Sequence, residues 1–407
     1  MSPDYEKALG RKIAFNRKRR GFSQKEFAAL LDRSEAWVSQ VERGVRRIDR
    51  MTVLEKVADV LDVPLAELAA EAPVVASAAV EPPGASRLRL VLSAAHSLKA
   101  ILGQHEEPDI PALRSQVERA WTLTHEGNYA DLSELLAELV PALEAAVRSA
   151  PEPERPELFR LLAGMYHTCS AALANMGEPE AAWIAVDRSV VAAERAGDPL
   201  LMAAGEFRLS IVFLGARHYD QAAQVSGTAA DALQPLAESG DVQAVALRGA
   251  LTLQRAVAAA RANRADDSYE YIRQAREMAE RVGPGRNDYN TEFGPTNVDL
   301  HEIAVAVDLG DAGVALRTAA RVDASSLSSE RQTRFQLDVA RAHAQRRQIT
   351  EAVAAVRAAQ KLSPEIIGAM PAVKQLVSDL LTMSQPPSEE LRSLASGLGV
   401  HEVPTRT

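Results

Sequence analysis

The chain has 407 residues, with 46 Lys and Arg against 55 Asp and Glu and a formal net charge of −9. Hydrophobic residues make up 47% and aromatics only 4%, which allows a sizeable core and favours helix over sheet. A single cysteine, Cys169, excludes an internal disulfide and a cysteine-based zinc site. No apolar run approaches the ~18 residues of a membrane span, and no signal peptide is visible. These features point to a soluble cytoplasmic protein of two or three domains.

The charge is unevenly placed. Residues 1–50 hold 13 basic and 7 acidic side chains, a net of +6, so the remainder carries −15. Only the N-terminal end suits a polyanion. Its first predicted helix runs over 5–19, with Leu9, Ile13 and Phe15 or Asn16 near one stripe and many basic residues opposite, and Gly21 ends it. The run Arg17-Lys18-Arg19-Arg20 is either a source of long-range attraction for DNA or a solvated helix face. Ser23 caps a second helix, and Glu26 three residues on completes a capping box. Phe27, Ala28 and Leu31 form its buried side. Ser34 caps a third helix, which runs to about Arg43 before Gly44 stops it. A fourth covers about Thr52 to Leu61, and Pro64 opens a fifth to about Ala69. The expectation is a compact five-helix bundle over 1–70.

Residues 71–86 carry three prolines and a glycine and read as a linker. From 87 to 407 the chain reads as helix upon helix. Breaks repeat one theme, a helix, a short polar turn and an Ala-rich helix, at Gly127-Asn128-Tyr129, Gly177-Glu178-Pro179, His218-Tyr219, Gly310-Asp311-Ala312 and Gln348-Ile349. The spacing is that of tetratricopeptide-like hairpins with helices somewhat longer than the 34-residue standard. The expected class is therefore all-α, a helix-turn-helix bundle followed by an α-solenoid.

The pieces Ile13…Arg17…Arg20-Gly21-Phe22-Ser23-Gln24-Lys25-Glu26-Phe27-Ala28, Val38-Ser39-Gln40-Val41-Glu42-Arg43-Gly44 and Leu54…Ala58…Leu61-Asp62-Val63 resemble the Cro/cI-type (XRE-family) helix-turn-helix of phage repressors and many bacterial regulators. The resemblance covers about a sixth of the chain. It implies a third helix in the major groove, with Glu35, Ala36, Ser39 and Gln40 facing base edges. Gln40 can pair with adenine N6/N7, and Glu35 can accept from cytosine N4. It places Gln24 at a phosphate, beside the free N–H groups of a helix start, and Arg43, Arg46 and Arg47 on backbone phosphates. Trp37 departs from the small polar residue common there and is expected on a sugar-phosphate edge or on the linker. Glu42, with Glu35, is expected near the groove. The resemblance further implies a homodimer on double-stranded DNA, at a pseudo-palindromic operator.

A helix-turn-helix joined to such repeats resembles peptide-pheromone sensors and a set of actinobacterial developmental regulators. The stretch Phe293-Gly294-Pro295-Thr296-Asn297-Val298…His301 is similar to the second group. It breaks the helical pattern and then opens a helix at Thr296 or Asn297. Asn297 and His301 share a helix face and, with Phe293, can line the superhelix and hold a peptide or small-molecule effector. A structural loop with a packed histidine is the other reading. Arg208 and Arg255 fall in inner helices, where they can meet an anionic group or be solvated. Nothing calls for a cofactor or metal. With no metalloprotease helix, phosphate loop or nucleophile elbow, the chain is not expected to be an enzyme. An adaptor whose repeats hold a partner protein that controls DNA binding stays open as the alternative.

Overall fold

The computed structural model describes residues 3–46, 48, 51–68, 84–93, 98, 102, 107–384 and 386–400. Among the described residues it is all-α, with no strand. The N-terminal head comprises α1 (Pro3–Arg19), α2 (Gln24–Leu31), α3 (Glu35–Glu42), α4 (Met51–Leu61) and α5 (Leu65–Leu68). Then come α6 (Ala85–Val91), α7 (Ile110–Glu126), α8 (Tyr129–Ser149), α9 (Arg155–Asn175), α10 (Pro179–Arg195), α11 (Pro199–Gly215), α12 (Tyr219–Ala232), α13 (Gln234–Glu238), α14 (Val242–Arg261) and α15 (Ala265–Val282). The last elements are α16 (Pro295–Leu309), α17 (Ala312–Ala319), α18 (Ser329–Gln345), α19 (Ile349–Leu362), α20 (Pro364–Ala369), α21 (Pro371–Met383) and α22 (Glu389–Gly397). Most of the stretch expected as a linker, 71–86, lies outside the described residues. Its last part is not linker, since Gly84 caps α6 and Ala85 is fully buried.

The head folds around Leu9, Ile13, Phe22, Phe27, Val38, Val41, Leu54, Val57 and Leu61. Gly10 lets α1 cross the end of α3 at backbone contact, because a methyl group there would overlap the Val41 and Glu42 carbonyls.

The hairpin region starts its helices at the expected polar turns. Asn128 accepts from the Asp131 N–H, Asp198 from Leu201, and Pro179 sits in the first turn of α10. Small residues let the helices of each hairpin close up, as along Ala182, Ala185, Ala192 and Ala193 of α10. The array also curls until the start of α20 meets the turn between α7 and α8. Glu365, on α20, accepts from the backbone N–H of Tyr129 (2.8 Å) and Ala130 (3.0 Å), placing a carboxylate at the start of α8. Ser363 donates to the Glu126 carbonyl at 3.1 Å.

Between α15 and α16 the chain makes an irregular excursion. Tyr289, Asn290 and Glu292 all hold positive φ. Phe293 anchors this loop, with its ring packed where α14 offers only the bare Cα of Gly249. Gly249→Ala is therefore expected to drive the ring out of its seat and to cost about 1–3 kcal/mol, as overpacked cores do. Thermal unfolding measures the loss, and a second change, Phe293→Leu, should recover part of it.

Candidate nucleic-acid interface

The α2–α3 pair is set by local capping. The Ser23 hydroxyl accepts from the Glu26 N–H (3.2 Å), while the Glu26 carboxylate accepts from the Ser23 N–H (2.9 Å). This is the expected capping box. Asp32 ends α2 in the left-handed region, at φ 56°. Ser34 Oγ then accepts from the Trp37 N–H at 3.2 Å to open α3.

On α3, Glu35 and Ala36 are exposed, and Ser39 and Gln40 are half-buried. Val38 and Val41 lie in the core of the head. Arg43 and Arg46 are exposed beyond the helix, and Arg43 Nε donates to the Ser39 carbonyl at 3.2 Å. Arg47 lies outside the described residues. Gln24 stands at the start of α2, where its Nε2 donates to Glu42 Oε2 at 2.7 Å.

One expectation is corrected here and one is refined. Trp37 is 9% exposed and belongs to the core of the head, with the Arg33 guanidinium over its ring at 5.8 Å. Glu42 is not a free carboxylate. It is buried in a two-armed ion pair with Arg17, whose Nη2 reaches Oε2 at 3.0 Å and whose Nη1 donates to the Phe22 carbonyl at 2.6 Å. The signal for this pair was present, since Arg17 falls four residues after Ile13 on the apolar stripe of α1.

The basic run 17–20 is not a solvated face: Lys18 is exposed, but Arg17 is buried and Arg19 and Arg20 are half-buried. Arg20 clasps Asp379 of α21, with Nε to Oδ2 at 2.8 Å and a second bond from Nη2. Burial, opposed by Arg20, holds the Asp379 carboxyl above its ordinary pKa. Arg19 is half-buried, and its backbone carbonyl accepts from Gln345 Nε2 at 2.9 Å. Burial lowers the pKa of its guanidinium, against the attraction of Asp308. Three further contacts fix the head to the hairpin region. Arg217 pairs with Asp62 at 3.1 Å, Arg347 reaches Glu26 at 2.6 Å, and Met383 enters the core of the head. None of these contacts covers Glu35 or Ala36.

The five residues expected to form an effector pocket separate. Arg208 and Asn297 hold the 287–294 loop, and His301 stands one turn beyond Asn297 on α16. Arg208 Nη2 donates to the Asn290 carbonyl (2.6 Å), Asn297 Nδ2 to the Thr291 carbonyl (3.4 Å), and His301 Nδ1 lies 2.8 Å from the Asn297 carbonyl. Burial and then the charge of Arg331 push His301 down to about 4. Phe293 is instead a core side chain at 1% exposure, held against Gly249. Arg255 is elsewhere, with its guanidinium 4.3 Å above the Tyr271 ring and bonded to the Tyr271 hydroxyl at 3.0 Å.

A capped helix pair with an open polar face on its second helix and a polar side chain at the start of its first defines a helix-turn-helix DNA-binding head. Residues 8–70 match the family model described as a helix-turn-helix domain. A comparison with curated proteins finds no match for the chain. Among the described residues no helix is long and apolar enough to cross a membrane.

Proposed function

We propose that the protein is a sequence-specific transcriptional regulator whose hairpin region, of tetratricopeptide-like kind, dimerises and senses a peptide or small-molecule effector. The observation that carries this reading is the open face of α3. Glu35 and Ala36 are exposed and Ser39 and Gln40 half-buried on one side of it, while the Arg17 and Arg20 side chains are paired internally. Base edges are read by the first group, and phosphates are held by Gln24, Arg43, Arg46 and Arg47. One head buries little surface, so two heads on a pseudo-palindromic site supply the affinity. Trp183, Ile184 and Val191 leave an apolar stripe exposed on α10, suited to cover by a second copy. The same stripe is what favours the adaptor reading, with a different protein in that place. An effector that prefers one curvature of the hairpins changes the spacing of the heads and so the occupancy of the second half-site.

Selection of bound duplexes from a random pool tests the reading. The full chain should enrich a two-fold motif. Gln40→Ala should relax one position of it, at a cost of about 1–3 kcal/mol for the matched base. No enrichment by the full chain, or an identical motif from the variant, removes the assignment of α3.

A further inference from the structure

Arg208 is a buried cation without a counter-ion. It is 8% exposed, and its guanidinium lies over the rings of Trp121 (5.4 Å) and Phe207 (5.1 Å). Among the described residues its one hydrogen bond is to the Asn290 carbonyl, and its Nε has no partner. Among the described residues no carboxylate reaches it at ion-pair distance. The two acids that act on it from further away, Glu330 and Glu292, are committed to others. Glu292 accepts from the Ser328 N–H and hydroxyl, both at 2.8 Å, and lies 3.5 Å from Arg331. Glu330 pairs with Arg334 and lies 3.8 Å from Arg331. Arg208, Arg331 and Arg334 thus face Glu292 and Glu330, with Asp338, itself paired to Arg341, acting on Arg334 alone, and Arg331 Nε also lacks a hydrogen bond.

Orphaned neutral groups sit in the same place. Asn297 Oδ1 has no donor, although Asn297 is 2% exposed. Its amide and Arg208 hold consecutive carbonyls, Thr291 and Asn290, so an unmet acceptor and an unmet charged donor flank one short piece of chain. The histidines nearby are held neutral. Burial and the charge of Arg208 push His167 down to about 3. A trapped water satisfies an orphaned hydrogen bond but not an excess buried charge, which requires an anion. A planar guanidinium matches a carboxylate in particular.

We infer that Arg208, Arg331 and Asn297 form a binding site for a carboxylate with an N–H donor beside it, the pattern of a peptide C-terminus or of an N-acylated amino acid. The carboxylate meets Arg208 and Arg331, and the N–H meets Asn297 Oδ1. This rests on the sensor reading above and names the chemistry of its effector.

Thermal unfolding of the full chain without DNA provides the test. The probes are a pool of N-acetyl amino acids, a pool of tetrapeptides, and the C-terminal amides of both. Arg208→Met keeps the side-chain volume and removes the charge. Without probe, this variant should unfold at or above the wild-type temperature, because no ion pair is lost. At least one free acid should raise the wild-type temperature by several degrees, its amide should not, and Arg208→Met should respond to neither. A shift from N-acetyl amino acids identifies a small acid. A shift from tetrapeptides alone identifies a peptide end. Marked destabilisation of probe-free Arg208→Met, equal shifts from acids and amides, or no shift from any acid overturns the site. A chain that fails here but enriches a two-fold DNA motif remains a regulator, whereas one that binds an acid but selects no DNA keeps the site and loses the regulator.

Discussion

Glu42→Ala is expected to unfold the head under conditions where the rest of the chain stays folded. The substitution leaves the Arg17 guanidinium, 8% exposed, with only the Phe22 carbonyl for company. Removing one partner of a buried pair costs about 3–5 kcal/mol, a large share of the ~5–15 kcal/mol that holds a domain together. It also frees Gln24, whose amide is fixed by the same carboxylate. Urea unfolding followed at Trp37 should show an early transition absent from the wild type, and DNA retention should vanish with it. The double change Arg17→Met with Glu42→Met should recover much of the stability, because a matched apolar pair carries no desolvation cost. A single change as stable as the wild type would show that the pair is not the keystone assigned to it.

Asp308→Asn should have the second-largest effect, in the hairpin region where it meets the head. Asp308 is 2% exposed on α16. It accepts from Arg261 Nε at 3.0 Å and from Arg341 Nη2, and it attracts Arg19 of the head. Burial alone would raise its pKa, but Arg341, then Arg261 and Arg19, outweigh burial and hold the carboxyl far below its ordinary value. A depressed carboxyl stabilises the fold above the unfolded-state pKa of about 3.9, and that contribution disappears as pH falls through the folded-state value. Near neutral pH the asparagine variant should therefore lose about 3 kcal/mol, as expected when several guanidinium groups lose a shared carboxylate. The gap between the two proteins should narrow steadily below about pH 4. A gap that stays constant to low pH would mean that the charge of Asp308 contributes little. Glu330, which Arg334 and Arg331 pull down to about 2 against its burial, titrates in both proteins and cancels from the comparison.

Which parts could be read from the sequence follows from how local each determinant is. The starts of α2 and α3 were legible because Ser23, Glu26 and Ser34 act within three residues of themselves. The hairpin turns were legible for the same reason, through Gly127, Pro179 and Gly310. Trp37 misled because a bulky residue beside a reading face suggests a ligand contact, whereas here it closes the core. The fate of Arg19 and Arg20 was not legible, since their partners Gln345 and Asp379 lie more than three hundred residues away and no spacing rule links them. In the candidate pocket, helical periodicity placed Arg208, Asn297 and His301 on inner faces. It could not say which neighbour each face meets, so Arg255 and Phe293 were grouped with them. Only the packed loop shows that Phe293 seats against Gly249 while Arg255 stacks on Tyr271.

The mounting of the head bears on modularity. DNA-reading heads of this size are commonly handled as interchangeable cassettes, cut at a convenient boundary and spliced onto other bodies. Here the cut would expose a socket. Residues 1–70 taken alone would carry Arg20 without Asp379, Glu26 without Arg347 and a core missing Met383. A foreign head grafted onto α6 would meet Asp379, Gln345 and Arg347 with nothing to answer them. On the reading proposed above, operator preference is to be re-engineered by changing Glu35, Ala36, Ser39 and Gln40 in place, leaving the docking residues of α1 untouched.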